Sequence, residues 1–199
     1  MTDTIIIGGG AAGCFAAVNA ARFGKTVLLF EKNEKLGRKL RITGKGRCNV
    51  TNNSPSDEHM KNIPVNPRFM YSSFEGFDAE CTMSFFEELG VPLKTERGNR
   101  VFPVSDNAND IADALAREMK KLGVRVINKR VTKILTEDGA VCGVKAGGRG
   151  VPFIGSSHCL RRQVLPCNGL HRGRLLPCGG SGTYGYGAEA FAGASHFSR

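Results

Sequence analysis

A β-branched run that ends in a glycine cluster constrains this chain more than any other feature. Thr4–Ile7 reads T-I-I-I, the pattern of a strand buried on both faces of a parallel sheet. It leads directly into G-G-G-A-A-G, which contains Gly8-x-Gly10-x-x-Gly13. Small and apolar residues then continue as a helix from Ala11 to about Phe23, stopped by Gly24. Lys25–Phe30 is a second strand, and Glu31 follows it. Strand, glycine turn, helix, strand and acid, in that order, predict a βαβ unit and an α/β fold of Rossmann-like type.

Each part has a physical task. Gly8 permits the tight turn out of the strand. Gly10 lets a pyrophosphate approach the backbone, and Gly13 lets the helix pack closely on the sheet. The start of the helix supplies unpaired N–H groups and partial positive charge to phosphates. Glu31 accepts hydrogen bonds from ribose hydroxyls and disfavours a 2′-phosphate. Glycines alone also suit an unliganded strand–helix turn. The flanking strand, the helix and the spacing of Glu31 favour a dinucleotide site.

Composition enters through charge. Lys and Arg outnumber Asp and Glu by 28 to 18 in 199 residues. A net +10 invites a nucleic-acid or anionic-membrane reading. The excess is unevenly spread. Residues 1–146 hold 22 basic and 17 acidic residues, whereas 147–199 hold six Arg, no Lys and only Glu189 as an acid. The 41% hydrophobic and 23% charged content is that of a globular chain rather than a disordered one. The apolar run Ile5–Ala21 is interrupted by Gly8, Gly9, Gly10, Gly13 and Asn19, which argues against a membrane span. Seven Cys with no C-x-x-C spacing, behind an N-terminus without a secretory n-region, suggest free thiols in a reducing cytoplasm and no metal site.

After Glu31 comes a basic, glycine-punctuated stretch with Arg38, Lys39, Arg41, Lys45 and Arg47 in ten residues. By charge alone it is a solvated loop, an RNA contact without stacking aromatics, or a second phosphate-binding segment. Its G-R-K-L-x-I-T-G-x-G-R-C-N-x-T-N resembles the signature of the BaiN-type (YhiN-like) bacterial NAD(P)/FAD-dependent oxidoreductases. The later R-V-F-P-V-S resembles a second segment of that family, and the likeness covers roughly residues 3–146.

The resemblance implies a three-layer (ββα) Rossmann-like FAD/NAD(P)-binding domain, of which only the N-terminal part is present, with bound FAD and NAD(P)H as a plausible reductant. It implies that Gly8, Gly10, Ala11, Ala12 and Gly13 hold the pyrophosphate and that Glu31 and Lys32 meet the adenosine ribose. Arg38, Lys39, Thr43 and Gly44 would wrap the phosphate and ribityl side. Arg47, Cys48 and Asn49 would lie towards the isoalloxazine, and Val131 would meet the adenine through its backbone. No catalytic residue is implied.

Other features read more simply as structure. Cys48 beside Arg47 has a redox reading, but a small packed thiol is favoured in the absence of a resolving partner. His59 is expected in a solvated turn, and Glu87 and Glu88 on the exposed face of a helix. The aromatics Phe69, Tyr71, Phe74, Phe77, Phe85 and Phe86 are assigned to core. Asp106–Leu122 is a helix capped by Ser105, with Ile111, Leu115, Met119 and Leu122 inward. Val124–Asn128, Val131–Leu135 and Val141–Val144 are strands, the last two joined by a turn at Thr136–Gly139.

Residues 147–199 form a separate region without sustained periodicity, holding 12 of the 26 Gly and three of the seven Cys. The family motif A-[ST]-G-G-x-S-Y-P-x-T-G-S-T-G-D-G-Y is missing there. Read one nucleotide forward, the codons permitted for Cys159–Cys167 allow A-S-G-G-K-S-Y-P-A, and those for Asn168–Leu175 allow T-G-S-T-G-D-G-Y. The expectation is a partial FAD-binding domain at 1–146. It is followed by an out-of-frame, largely disordered tail, the frame changing between about Ala146 and His158. Such a chain is expected to bind FAD poorly. The alternative is a non-enzymatic basic RNA-binding protein using the 37–49 loop and the Arg/Gly-rich tail.

Overall fold

The computed structural model describes residues 2–137, 140–152 and 163–166. The chain opens β1 (Thr4–Ile7), α1 (Ala11–Arg22), β2 (Val27–Phe30), β3 (Thr51–Asn52), α2 (Ser56–Lys61), α3 (Tyr71–Gly76) and α4 (Ala79–Glu88). It continues β4 (Leu93–Glu96), β5 (Arg100–Pro103), α5 (Ala108–Lys121), β6 (Arg125–Ile127), β7 (Val131–Glu137), β8 (Ala140–Ala146), β9 (Arg149–Pro152) and β10 (Gln163–Pro166).

The central sheet is parallel, in the order β10-β1-β2-β6, with Ile5 opposite Leu28 and Ile7 opposite Phe30. Side chains on a strand alternate between faces, and here each face has its own cover. Ile6, Val27 and Leu29 pack with Cys14, Ala17 and Val18 of α1 and with Ile111, Leu115 and Met119 of α5. Ile5, Ile7, Leu28 and Phe30 pack instead on Val131, Val144 and Ala146 of the antiparallel meander β7-β8-β9. The fold is therefore α/β, a Rossmann-type domain with meander, sheet and helices as its three layers. The continuous apolar reading of β1 follows from this arrangement, since all four of its residues are buried.

A second antiparallel sheet, β3-β5-β4, lies outside the layers and pairs Thr51 with Val101 and Leu93 with Pro103. Among the described residues no helix is long and apolar enough to cross a membrane.

Several expectations need correction. The cap of α5 is Asn107, whose side chain accepts from Asn109 N at 3.0 Å, because Asp106 turns left-handed (φ +55°). Ser105 instead meets Asp110 at 2.5 Å. Of the aromatics assigned to core, only Phe85 and Phe86 are buried; Phe69 and Tyr71 are 57% and 62% exposed. The six-residue α3 is too short to bury more than one side of itself, and among its aromatics it keeps Phe74 half-buried, against His59. His59 sits on α2, half-buried, with a ring nitrogen 2.9 Å from Asn52 O. Glu87 and Glu88 are exposed on α4 as expected. The stretch expected to lack periodicity contributes β9 and β10. The turn at 138–139, and Cys159 with most of the proposed out-of-frame tail, lie outside the described residues.

Candidate dinucleotide site

The site begins where β1 ends. Gly8 takes φ +106°, a conformation that only glycine adopts easily, and its N–H donates to Phe30 O at 2.7 Å. Gly10 then starts α1 with no side-chain cap, and the first turn carries no acid. Ala11 and Ala12 are exposed there, while Gly13 and Cys14 are buried against the sheet. The opening N–H groups of a helix lack intrahelical partners, and a small-residue start leaves them open to an anion.

Glu31 lies at the end of β2, 5% exposed, beside that turn. Its Oε2 accepts from Gly9 N at 2.7 Å, and its Oε1 accepts from Asn33 N at 2.8 Å and Asn33 Nδ2 at 2.5 Å. A carboxylate offers about four acceptor positions, so further capacity remains for a ribose hydroxyl. Lys32 next to it is exposed.

Gly9, which sequence reasoning passed over, ties the site together. A Cβ there would overlap Leu36 Cδ2 and press on Glu31 Cβ at 3.1 Å. Its carbonyl accepts from Gly37 N at 2.7 Å, which hangs the second motif on the first. Gly37 itself is left-handed (φ +67°), and a Cβ there would meet Ala112 of α5 at 3.1 Å. The unbroken G-G-G and the glycine preceding Arg38 were the available signals.

The 36–50 segment then folds as a 3-10 turn over Leu40–Gly46, broken at Thr43 by ψ 154°. Gly44, Lys45 and Cys48 are left-handed with φ +56°, +59° and +59°. Arg41 spans from Leu36 O to Asn109 and Asp113 of α5, both at 2.6 Å. Arg47 pairs with Glu96 of β4 and with Asp106 at 2.6 Å, and its guanidinium lies 4.2 Å from the Phe102 ring centre. Lys94 reaches the same Asp106 at 2.7 Å. The Arg47 pair holds Glu96 below the usual carboxylate range. Lys94 and then Arg47 do the same for Asp106. Both arginines are thus engaged within the chain, which removes them from the charge available to RNA. Arg38, Lys39 and Lys45 are exposed and form no ion pair among the described residues.

Cys48 is buried, and burial pushes its thiol pKa up, against the thiolate that a neighbouring arginine suggested. Thr43 Oγ1 donates to Leu40 O at 2.8 Å. Gly44 has no room for a Cβ, which would meet Asn49 N at 3.0 Å and Phe102 at 3.3 Å. With its side-chain amide turned so that the nitrogen faces them, Asn49 donates to Thr51 O and Val101 O. Val131 opens β7 with its side chain in the core between meander and sheet.

The chain matches the model of the HI0933-like protein Rossmann domain over residues 2–157. It belongs to this family. The family assignment agrees with the resemblance carried by the second motif. It is 32% identical over 168 residues to a 3-dehydro-bile acid delta(4,6)-reductase of Clostridium scindens, covering 82% of this chain and 38% of the relative. It is also 32% identical over 126 residues to a ribosomal RNA dihydrouridine synthase of Haemophilus influenzae, covering 63% of this chain and 31% of the relative. The chain therefore spans about a third of the length of these relatives. Among solved structures, the 3-ketosteroid-delta4-(5alpha)-dehydrogenase of Rhodococcus jostii superposes with a TM-score of 0.61 at 20% identity, covering 82% of this chain and 45% of that one. The 3-ketosteroid delta1-dehydrogenase of Sterolibacterium denitrificans gives 0.63 at 15% identity, covering 84% and 47%. At such identities these two structures speak for the fold.

Proposed function

We propose that this chain carries the FAD-binding part of a flavin-dependent oxidoreductase that takes its electrons from NAD(P)H. The observation that carries the reading is an uncapped, acid-free helix start set beside the buried carboxylate of Glu31. Gly8, Gly10, Ala11, Ala12 and Gly13 would receive the diphosphate, and Glu31 with Lys32 the adenosine ribose. Arg38, Lys39, Thr43 and Gly44 would follow the phosphate and ribityl side. Arg47, Cys48 and Asn49 shape the turn towards the isoalloxazine, with Arg47 acting through its carboxylate partners. Val131 would meet the adenine through its backbone. When bound, FAD supplies hydride transfer, while the protein supplies binding and electrostatics.

The relatives' names describe a bile-acid reductase and a dihydrouridine synthase. In both, the product is the saturated form of a carbonyl-bearing ring, and reduction of such a carbon–carbon double bond is the reaction class we assign to the whole protein. Among the described residues Cys48, Cys81 and Cys142 form no disulfide, which supports a reducing compartment, the cytoplasm.

FAD titration followed by flavin fluorescence tests the binding step. The expected result is saturable quenching, displaced by ADP but not by FMN, and abolished by Gly10→Val. The purified chain is expected to carry less than stoichiometric flavin. A titration with no saturation, or one unaffected by ADP, overturns the reading.

We also propose that the reading frame changes between about Ala146 and His158. The family match ends at residue 157, inside that window, which supports it. Coding DNA whose next frame does not encode T-G-S-T-G-D-G-Y disproves it.

A further inference from the structure

Glu31, 5% exposed, already takes three N–H groups. Gly9 N donates to Oε2 at 2.7 Å, and Asn33 N and Nδ2 donate to Oε1 at 2.8 and 2.5 Å. A carboxylate has about four acceptor positions, two on each oxygen. Oε1 is therefore full, and Oε2 keeps one position. The ribose of an adenosine presents two hydroxyls on adjacent carbons, each of them a donor. The carboxylate alone can accept only one.

A second acceptor stands beside it. The Asn33 side chain spends its nitrogen on Glu31 Oε1, which fixes the amide plane and sets Oδ1 on the next atom along. That Oδ1 accepts from no group among the described residues, and unlike Asn52 Oδ1 it is not sealed from solvent. Lys32 cannot take its place, because an ammonium only donates. The carbonyl at the end of the neighbouring strand is occupied: Ile127 O accepts from Glu31 N at 3.1 Å and from Lys129 N at 2.8 Å.

The loop that carries Asn33 is held from across the sheet. Asn128, just past β6, donates through Nδ2 to Asn33 O at 2.8 Å and to Glu34 O at 3.3 Å. β6 lies beside β2, with Ile127 opposite Phe30. A chain of hydrogen bonds thus runs from Asn128 through Asn33 and Glu31 to Gly9, and ends on the glycine turn. Neither asparagine falls within the two motifs that the sequence displays.

We infer that Asn33 sets the specificity of the adenosine end: its Oδ1 accepts one hydroxyl of the ribose diol while Glu31 Oε2 accepts the other, and Asn128 is the positioning residue that holds Asn33 in place. The inference rests on the dinucleotide reading above. It makes the two hydroxyls unequal, because a hydrogen bond to a carboxylate is stronger than one to a neutral amide. Losing the hydroxyl on Glu31 should cost about tenfold or more in affinity, and losing the one on Asn33 about three- to tenfold.

Ligand-observed NMR titration of the full chain with ADP, 2′-deoxyADP and 3′-deoxyADP tests this. ADP is expected to bind tightest, with a larger penalty for one missing hydroxyl than for the other. Asn33→Leu keeps the branched shape, loses the amide and leaves a methyl where Nδ2 stood. In that variant the smaller penalty should vanish and the larger persist. A merely structural role for Asn33 would instead weaken all three nucleotides by the same factor. If Asn33→Leu does not fold, Asn128→Ala, at an exposed position, leaves the side chains of Glu31 and Asn33 intact. It should reduce the smaller penalty alone.

Equal affinity for ADP and both deoxy forms, a uniform loss in Asn33→Leu, loss of the larger penalty instead of the smaller, or unchanged penalties in Asn128→Ala each overturn the inference. A flavin reading supported by FAD titration survives any of these. Absence of binding by both ADP and FAD overturns the two together.

Discussion

The glycine turn at residues 8–10 and the segment 36–50 meet at one hydrogen bond, Gly37 N to Gly9 O, yet different physics holds each in place. Backbone sterics and a buried acceptor fix the turn. Gly8 is at φ +106°, Gly9 has no room for a Cβ, and Glu31 accepts from the Gly9 amide. The segment is held by long charged side chains, with Arg41 reaching α5 and Arg47 reaching Glu96 and Asp106. Steric and buried hydrogen-bond constraints respond little to salt, whereas half-exposed ion pairs are screened. The diphosphate end of the site should therefore be stiff, and the end assigned to the flavin ring adjustable.

The largest expected effect is on the stiff side. Glu31→Ala would leave the Gly9 and Asn33 amides without their acceptor. Each orphaned buried donor costs about 1–3 kcal/mol. Thermal unfolding should show that loss, FAD titration should weaken at least tenfold, and neither change should depend on salt. An unchanged melting temperature would show that the turn does not rely on this carboxylate.

Gly9→Ala comes next. The added methyl displaces the flexible end of Leu36 but also presses on Glu31, a steric cost of about 1–3 kcal/mol. Gly37→Ala should cost less, about 1–2 kcal/mol, from its left-handed φ of +67° and the approach of Ala112. Urea denaturation would rank the two. A reversed order would mean that the junction is governed by the segment rather than by the turn.

The two regions also differ in how much of them can be read from sequence. β1, α1 and β2 were legible almost residue by residue, because a continuous apolar strand run, a helical run and its stop signals are local. The acid after β2 was legible as a candidate binding residue, but its grip on Gly9 was not, since the motif treats that glycine as a free position. The second motif was legible as a family likeness and as positive charge. The engagement of Arg41 and Arg47 was hidden, because their partners lie 49 to 72 residues further along the chain. No local periodicity encodes such contacts. The same limit misplaced Phe69 and Tyr71: spacing shows that aromatics are present, but whether anything covers them depends on how the 3-10 turn Pro67–Met70 and α3 sit.

The smallest effect should come from Arg47, and pH sharpens it. Glu96 and Asp106 both ionise more readily in the folded protein than in the unfolded chain. Their contribution is therefore complete above about pH 5 and fades as pH falls through their ordinary values and below. Arg47, raised by the same partners, stays charged throughout that range. Arg47→Ala should weaken FAD binding only a few-fold at neutral pH, because the Gly37–Gly9 bond and Arg41 still anchor the segment. Its titration should lose part of the acid dependence that the unaltered chain shows below about pH 4.5, and part of its salt dependence, the remainder coming from the Arg41–Asp113 and Lys94–Asp106 pairs. Arg47→Lys keeps the charge but loses the planar fork and the stack on Phe102, so it should fall between the two. A wild-type affinity that is flat from pH 7 to pH 3, measured where circular dichroism shows the chain still folded, would mean the ion pairs do not shape the cofactor site and the contrast between its two ends is wrong.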